Sequence, residues 1–268
     1  MKIGIIGSNG VLGQILAEQL SLRGHDLSLF GRRSDLWTYK FDVLTDVPHE
    51  QLRSVDCIIY LAWATRERTD EVQSKHVEAA GRWAKYCESI GVKFVFISTV
   101  LAHEKARSKY GKYKYKAEHL ITNASGKSLR VGSVADDAYP LLLTKIRHLG
   151  RKLPAIKVFA NWPIYALSST TFVNAVEQVS ISKLSESIFW VAPKSPTSIA
   201  SIVSFENSRE RSSKWVNGIV ALLTKIPLNH TKIDALKGII DPIPVTELLK
   251  VVKDMEIAAL DWRNQLDS

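Results

Sequence analysis

Three glycines between a predicted strand and a predicted helix constrain the fold of this chain more than any other feature. Gly7, Gly10 and Gly13 have the spacing G-x-x-G-x-x-G in IGIIGSNGVLGQ, directly after an apolar run and directly before an amphipathic stretch. Because glycine has no Cβ, the backbone of such a loop can approach a ligand closely, and the helix N-terminus behind it favours an anion. A plain strand-to-helix turn would need one glycine, so the spacing predicts a loop that binds the pyrophosphate of a dinucleotide.

The first half of the chain repeats this alternation of strand and helix. Helical spacing of apolar residues appears in VLGQILAEQLSLRG, over 70–90 and in KYKYKAEHLITNA,. The predicted strands are KIGIIG, HDLSLFG, TYKFDV, VDCIIYLAWA, VKFVFIST and KSLRVGSV. The alternation predicts an α/β fold, a Rossmann-like doubly wound parallel sheet with helices on both faces.

The second half is mainly helical in its pattern. Apolar periodicity predicts helices over 139–152, 170–182, 198–206, 212–225 and 245–266, with short strands at IKVFA and SIFWVA,. We therefore expect a dinucleotide-binding Rossmann domain over 1–135 and a small, mainly helical substrate lobe over 136–268, packed on the sheet.

Composition narrows the classes of partner. The formal charge of +9 attracts polyanions, but no nucleic-acid module accompanies it, and an anionic small ligand explains part of the charge equally well. No apolar run reaches the roughly 18 residues that span a bilayer, so we expect a cytoplasmic protein without a membrane segment. Cys57, Cys87 and the seven histidines have neither disulfide nor metal-ligand spacing, so no metal site is predicted.

The predicted second strand ends in LFGRRSD, which bears on the choice of dinucleotide. An NAD-binding fold usually has an acidic residue here for the ribose hydroxyls, whereas this chain has Gly31, Arg32 and Arg33,. Guanidinium groups can pair with a 2′-phosphate, which a carboxylate would repel. NADP(H) is therefore favoured, and NAD(H) is the alternative if both arginines are only solvated.

A Tyr–Lys pair follows the fifth predicted strand. Tyr110 and Lys114 form Y-x-x-x-K, and the i, i+4 spacing puts both side chains on one face of a helix,. An ammonium ~4.5 Å away at an effective dielectric of ~20 would lower a tyrosine pKa by about two to three units. Such a hydroxyl can act as a general acid–base.

Together these motifs resemble the extended short-chain dehydrogenases, the NAD(P)-dependent epimerase/dehydratase group. The resemblance covers roughly residues 1–135. It rests on the glycine loop, Asp42 after the third strand, Leu61-Ala62-Trp63 after the fourth, Ser98-Thr99 closing the fifth, and the run from Tyr110 through Lys114 to Glu118.

The resemblance implies roles for these positions. Tyr110 would be the general acid–base, Thr99 would hydrogen-bond the reacting oxygen, and Lys114 would bind the ribose hydroxyls. The remaining cofactor-binding residues would be Gly7, Asn9, Gly10, Val11, Leu12, Gly13, Arg32, Arg33, Asp42, Val43, Leu61, Ala62 and Trp63, with Asp42 at the adenine. Ser168, Ser169 and Thr170 would be donors to the substrate.

Three positions depart from the family pattern. His76 replaces an Asn in the helix after strand four, which leaves the role of His76 open. Val100-Leu101 replaces the Asp-Glu that sugar-nucleotide 4,6-dehydratases use, so a dehydratase is not expected. The motif R-P-x-x-V-Y-G-P is reduced to Arg130-Val-Gly-Ser-Val134.

The expected function is that of an NADPH-linked reductase or an epimerase acting on a keto or hydroxyl group of an anionic nucleotide sugar. A reductase of a non-sugar carbonyl compound is not separable from this by sequence. The alternative from another class is a non-catalytic NADP-binding sensor or assembly protein of the same fold. By resemblance alone, a homodimer is also expected.

Overall fold

A computed structural model describes residues 1–34, 38–46, 48–64, 69–106, 108–135, 163–183, 185–192 and 197–198. The strands are β1 Lys2–Ile6, β2 Asp26–Gly31, β3 Thr38–Lys40, β4 Cys57–Tyr60, β5 Lys93–Thr99, β6 Lys127–Val131, β7 Ser133–Ala135, β8 Pro163–Ile164, β9 Ala166–Ser168, β10 Ile188–Val191 and β11 Thr197–Ser198. The helices are α1 Val11–Leu22, α2 Asp70–Ser89, α3 Lys109–Thr122 and α4 Ser169–Ile181, with a 3₁₀ turn at Glu50–Arg53.

Seven of these strands form one parallel sheet in the order β10-β6-β5-β4-β1-β2-β3. The strand order reverses between β1 and β4, which is where open α/β sheets bind their ligands, at the carboxyl ends of the strands. The two short pairs, β7 with β9 and β8 with β11, lie outside this sheet.

Two apolar cores cover the two faces of the sheet. On one face, α1 and α4 pack on residues such as Ile5, Ile59 and Ile97. On the other face, α2 and α3 pack on the alternate residues, among them Ile58 and Phe96. Successive side chains of a strand point to opposite faces and therefore enter different cores. A central strand is buried on both faces in this way, and its sequence is therefore apolar throughout. The predicted doubly wound α/β sheet is confirmed.

The structure refines several predicted elements. The segment KSLRVGSV forms two strands, because β7 leaves the main sheet after Gly132 to pair with β9. The helix predicted over 170–182 is confirmed as α4. The strand predicted at SIFWVA is β10, which adds the seventh strand beside β6, so the chain beyond residue 135 contributes to the main sheet. The domain boundary at residue 135 stays a prediction.

Other predicted elements of the second half lie outside the described residues. These are the helices over 139–152, 212–225 and 245–266, and the strand IKVFA. The helix predicted over 198–206 also lies outside them, except that Ser198 belongs to β11, where it pairs with Pro163. Helical periodicity therefore placed the start of that element wrongly.

A buried polar network joins β5, α3 and β6 behind the carboxyl edge of the sheet. Glu118 and Arg130 are 1% and 7% exposed, and the guanidinium donates to the carboxylate from Nε and from Nη2, the latter at 2.6 Å. The hydroxyl of Ser98 donates to the same carboxylate. Buried charges are tolerated when they are paired in this way, so the network fixes the position of α3 against the sheet.

None of the helices that the structure describes is both long and apolar enough to cross a membrane. Within the same residues, His, Cys, Asp and Glu side chains nowhere form a group that could hold a metal ion.

Candidate functional site

The glycine loop lies between β1 and α1 at the carboxyl edge of the sheet, and two of its glycines are required by close backbone approach. Gly7 has φ +96, and a Cβ on it would lie 2.8 Å from the backbone nitrogen of Ala62. A Cβ on Gly13 would lie 2.7 Å from the Cα of Ser8. The loop can therefore fold back over the start of α1 only with glycine at both positions.

The N-terminus of α1 has the chemistry of an anion site. Gly10 is the exposed N-cap residue, and no side chain of the described residues caps this end of the helix. The N–H groups of a first helical turn lack intrahelical partners and carry partial positive charge. At this end those groups belong to Val11, Leu12 and Gly13, so a pyrophosphate fits here.

The end of β2 is attached to this loop. The carbonyl oxygen of Phe30 accepts hydrogen bonds from the backbone N–H of Gly7 at 2.8 Å and of Ser8 at 3.1 Å. Asn9 Oδ1 accepts from the backbone N–H of Arg33 at 3.1 Å. Arg32 and Arg33 are both exposed, so their guanidinium groups lie in water beside the glycine loop.

The turn after β3 contains Asp42 and Val43. Asp42 Oδ1 accepts from the backbone N–H of Leu44 at 3.0 Å, which shapes the turn. The carbonyl oxygen of Val43 accepts from Arg82 Nη2 at 2.6 Å and from Trp83 Nε1 at 3.0 Å. Helix α2 thus fixes the position of the Asp42 carboxylate near the crevice.

Leu61, Ala62 and Trp63 continue β4 into the crevice beside the glycine loop. The backbone N–H of Leu61 donates to the carbonyl oxygen of Ile6 at 2.8 Å, so the pairing with β1 continues one residue past the end of β4. The Trp63 indole donates to Gln73 Oε1 at 2.8 Å, and Gln73 Nε2 donates to the carbonyl of Ala64 at 2.9 Å. Gln73 is fully buried and holds the indole in one orientation.

Lys114 is buried at the centre of the candidate site. Its side chain is 2% exposed, and Nζ donates to the carbonyl of Ile97 at 2.8 Å. Nζ lies 4.2 Å from the ring centroid of Phe96, 4.3 Å from that of Trp63 and 5.8 Å from that of Tyr110. Burial lowers the pKa of Lys114 to about 7, although the charge of Glu118 opposes this shift.

The predicted geometry of the Tyr–Lys pair is confirmed in one respect and extended in another. Both residues lie on one face of α3, with Tyr110 in the first turn and half-buried. The ammonium, however, sits in an aromatic cage of Trp63, Phe96 and Tyr110, against β5. With a pKa near neutrality, Lys114 can exchange a proton at physiological pH, which the sequence did not reveal.

Thr99 ends β5 two residues beyond the carbonyl that binds Lys114. It is 8% exposed, and its Oγ1 accepts from the backbone N–H of Leu101 at 3.3 Å. The loop that follows returns to the N-terminus of α3, where Ser108 Oγ caps the helix by accepting from Gly111 at 3.1 Å. Strand β5 and helix α3 therefore bring Thr99, Tyr110 and Lys114 to the same edge of the sheet.

His76 on α2 faces this cluster. The imidazole lies 5.5 Å from the Trp63 ring, and its Nδ1 is buried without a hydrogen-bond partner among the described residues. Burial, together with the positive charges of Lys114 and Arg32, lowers the pKa of His76 to about 4, against the opposing charge of Asp42. The imidazole is therefore neutral at pH 7, and the charges of Arg32, Asp42 and Lys114 all reach it.

The three residues predicted on the substrate side lie at the start of α4. Ser168 is the N-cap residue, and its Oγ accepts from the backbone N–H of Thr171 at 3.1 Å, so this hydroxyl has a structural role. Ser169 and Thr170 occupy the first helical turn. Because β9 pairs with β7 directly after β6, all three lie beyond the carboxyl end of β6.

Sequence inspection missed Gln73, Arg82 and Trp83 as supports of the site. All three lie on α2, and Gln73, His76 and Trp83 are buried on one face of that helix. Their spacing of three and seven residues is that of a helix face turned toward the core. Periodicity could have placed Gln73 and Trp83 inside the protein. It could not have identified the backbone carbonyls and the indole that these two side chains bind.

Similarity to known proteins is detectable in the fold only. No protein-family model matches the chain, and no curated protein matches it in sequence. Solved structures match over 76% of the chain. One is UDP-N-acetylglucosamine 4-epimerase from Bacillus cereus, with a TM-score of 0.60, 16% identity and 79% of that chain covered.

Two further structures have the same fold. MoeE5, solved in complex with UDP-glucuronic acid and NAD, matches with a TM-score of 0.64 at 17% identity over 80% of its chain. A dTDP-4-dehydrorhamnose reductase from Clostridium acetobutylicum matches with a TM-score of 0.59 at 18% identity over 78% of its chain. The resemblance to extended short-chain dehydrogenases is thereby confirmed at the level of the fold.

Proposed function

We propose that this protein is an NADP(H)-dependent oxidoreductase, a reductase or an epimerase, acting on a keto or hydroxyl group of a nucleotide sugar. The observation that carries the proposal is the meeting of an uncapped helix N-terminus with Thr99, Tyr110 and Lys114 at one edge of the sheet. Solved structures of the same fold, at identities that establish the fold alone, include an enzyme in complex with UDP-glucuronic acid and NAD.

We propose binding residues from the family resemblance, which the positions of these residues around the crevice support. The first turn of α1 would hold the pyrophosphate, Asp42 and Val43 the adenine, and Arg32 with Arg33 the 2′-phosphate. Leu61, Ala62 and Trp63 would line the nicotinamide half together with Lys114. The bound cofactor supplies or accepts a hydride.

The protein's own residues manage the proton. In the direction of reduction, the Tyr110 hydroxyl gives its proton to the substrate oxygen while Thr99 Oγ1 hydrogen-bonds that oxygen. Lys114 stabilises the resulting phenolate when protonated, and its pKa of about 7 lets it pass a proton on at neutral pH. A general acid–base with a matched pKa contributes about 10²–10⁴-fold to the rate.

The substrate is proposed by its chemical class, a nucleotide sugar. A nucleotide sugar is an anion, which agrees with the net charge of +9, and Ser169 and Thr170 lie beyond the carboxyl end of β6 where a substrate would enter. The two arginines favour NADPH and therefore net reduction, so epimerisation is the second choice. We further propose a cytoplasmic homodimer that forms through α2 and α3.

The cofactor assignment is tested by binding. NADPH should bind at least about tenfold more tightly than NADH, a difference of about 1.4 kcal/mol. Replacement of Arg32 and Arg33 by Ala should remove the difference, whereas the control Lys85→Ala, on α2, should keep it. Equal affinities in the unmodified protein would contradict the assignment.

The chemistry is tested by Tyr110→Phe, which removes a single oxygen atom. Folding and NADPH affinity should persist, while turnover on a panel of keto-sugar nucleotides falls about 10²–10⁴-fold. Tyr113→Phe is the matched control, because its hydroxyl binds Asp70 at 3.0 Å at the protein surface. If NADPH binds but no substrate reacts, the non-catalytic sensor becomes the preferred function.

A further inference from the structure

The glycine loop contacts the end of β2 through the side chain of Asn9, which lies where a side chain on Gly31 would begin. A Cβ built on Gly31 would overlap the side-chain amide of Asn9, lying 2.6 Å from its Cγ. Gly31 is buried, so a substituent there could not turn away into solvent. Oδ1 of the same amide accepts a hydrogen bond from the backbone N–H of Arg33 at 3.1 Å.

The backbone does not itself require glycine at position 31. Gly7, Gly24 and Gly91 are the described glycines with positive φ, and Gly31 is not among them. It lies in β2, pairing with Lys40 of β3, where any residue type is allowed. A side chain at position 31 would therefore require the Asn9 amide to move and to give up its hydrogen bond to the backbone N–H of Arg33.

We propose that Asn9 and Gly31 form a coupled pair that sets the specificity for the adenosine ribose. The Asn9 amide fills the volume that a carboxylate at position 31 would need, so an acidic partner for a 2′,3′-diol could be placed there only at the cost of the hydrogen bond between Asn9 and Arg33. The hydrogen bond to Arg33 also fixes the turn that presents both guanidinium groups. Specificity thus depends on the glycine loop as well as on the arginines.

This inference rests on the proposed function, because it explains how the chain rejects NADH. It differs from a purely structural role in a measurable way. A structural contact would change stability and leave the ratio of the two affinities unaltered. A specificity pair changes that ratio, and the effect of one substitution depends on the presence of the other.

A double-mutant cycle tests the pair. Four proteins are compared: the unmodified chain, Gly31→Asp, Asn9→Ala and the double variant. Calorimetric titration gives the dissociation constants for NADPH and NADH, and the melting temperature of the ligand-free protein reports the steric conflict. Gln14→Ala, an exposed change in the first half of α1, is the control and should leave the affinity ratio unaltered.

The expected pattern is specific. Gly31→Asp should lower the melting temperature and weaken both cofactors. Asn9→Ala should weaken NADPH by up to about tenfold, the value of one hydrogen bond, with little change in NADH. The double variant should recover the melting temperature lost in Gly31→Asp and bind NADH at least about tenfold more tightly than that single variant does.

The outcomes separate the two proposals. If the unmodified protein prefers NADPH, but Gly31→Asp alone is stable and binds NADH well, the coupling is wrong and the proposed function stands. Additive effects of the two substitutions on both affinities would overturn the coupling in the same way. If the unmodified protein binds neither dinucleotide or prefers NADH, both proposals fail.

Discussion

Lys114 should make the ligand-free protein more stable as the pH rises above 7. A lysine in an ordinary ion pair would instead lose its stabilising effect as the pH rises. Its pKa falls from 10.5 to about 7 because the charged form is buried. Below about pH 7 the lysine is charged in both folded and unfolded chains, and the cost of burying the charge is fully present. Between pH 7 and 10.5 the unfolded chain binds more protons, so stability rises with pH.

The size of the effect follows from the same values. Each pKa unit corresponds to about 1.4 kcal/mol, so complete loss of the proton recovers on the order of 5 kcal/mol. About half of this, roughly 2–3 kcal/mol, should appear between pH 6.5 and 9. Replacement of Lys114 by Met keeps the length of the side chain and abolishes this titration.

Urea unfolding at a series of pH values provides the assay. The free energy of unfolding of the unmodified protein, minus that of Lys114→Met, should rise by roughly 2–3 kcal/mol over this range. Lys112→Met, an exposed change on the same helix, is the control and should give a difference that is nearly independent of pH. A flat difference for Lys114→Met would mean that the ammonium keeps an ordinary pKa and that its burial has been misjudged.

Two further predictions concern the support of the site. Glu118→Gln leaves the buried Arg130 without its ion partner and should lower the free energy of unfolding by about 3–5 kcal/mol in urea titrations. The double variant Glu118→Gln with Arg130→Met should lose less stability than Glu118→Gln alone, because it leaves no unpaired buried charge. Equal losses in the two variants would contradict the pairing. Gly13→Ala places a Cβ against the backbone of Ser8 and should cost about 1–3 kcal/mol in the same assay, while Gly10→Ala, whose nearest contact is 3.3 Å, should cost clearly less.

The sequence predicted those features of the site that depend on neighbouring residues. Gly7 and Gly13 can be recognised in the sequence because a residue with a Cβ does not fit the turn between β1 and α1 at these two positions. Tyr110 and Lys114 share a face because a helix brings i and i+4 together. The alternation of apolar strands and amphipathic helices likewise predicted the parallel sheet, since the central strands β1, β4, β5 and β6 are buried on both faces.

The sequence could not predict contacts between residues distant in the chain. Lys114 binds the carbonyl of Ile97 and two rings from other elements, and burial among such distant groups lowers its pKa. The amide of Asn9 occupies the space beside Gly31, which lies 22 positions further along the chain. Such constraints arise only when the sheet has assembled, because packing decides which groups meet.

The central claim is that this crevice transfers a hydride, and the fate of an isotopic label tests it most directly. NADPH carrying deuterium at both hydrogen positions of nicotinamide C4 is incubated with the protein and a panel of nucleotide-linked keto sugars, and the products are analysed by mass spectrometry. The proposal predicts a product one mass unit heavier, formed by the unmodified protein and strongly reduced with Tyr110→Phe. Tight binding of NADPH without transfer of label to any of these sugars would contradict the claim.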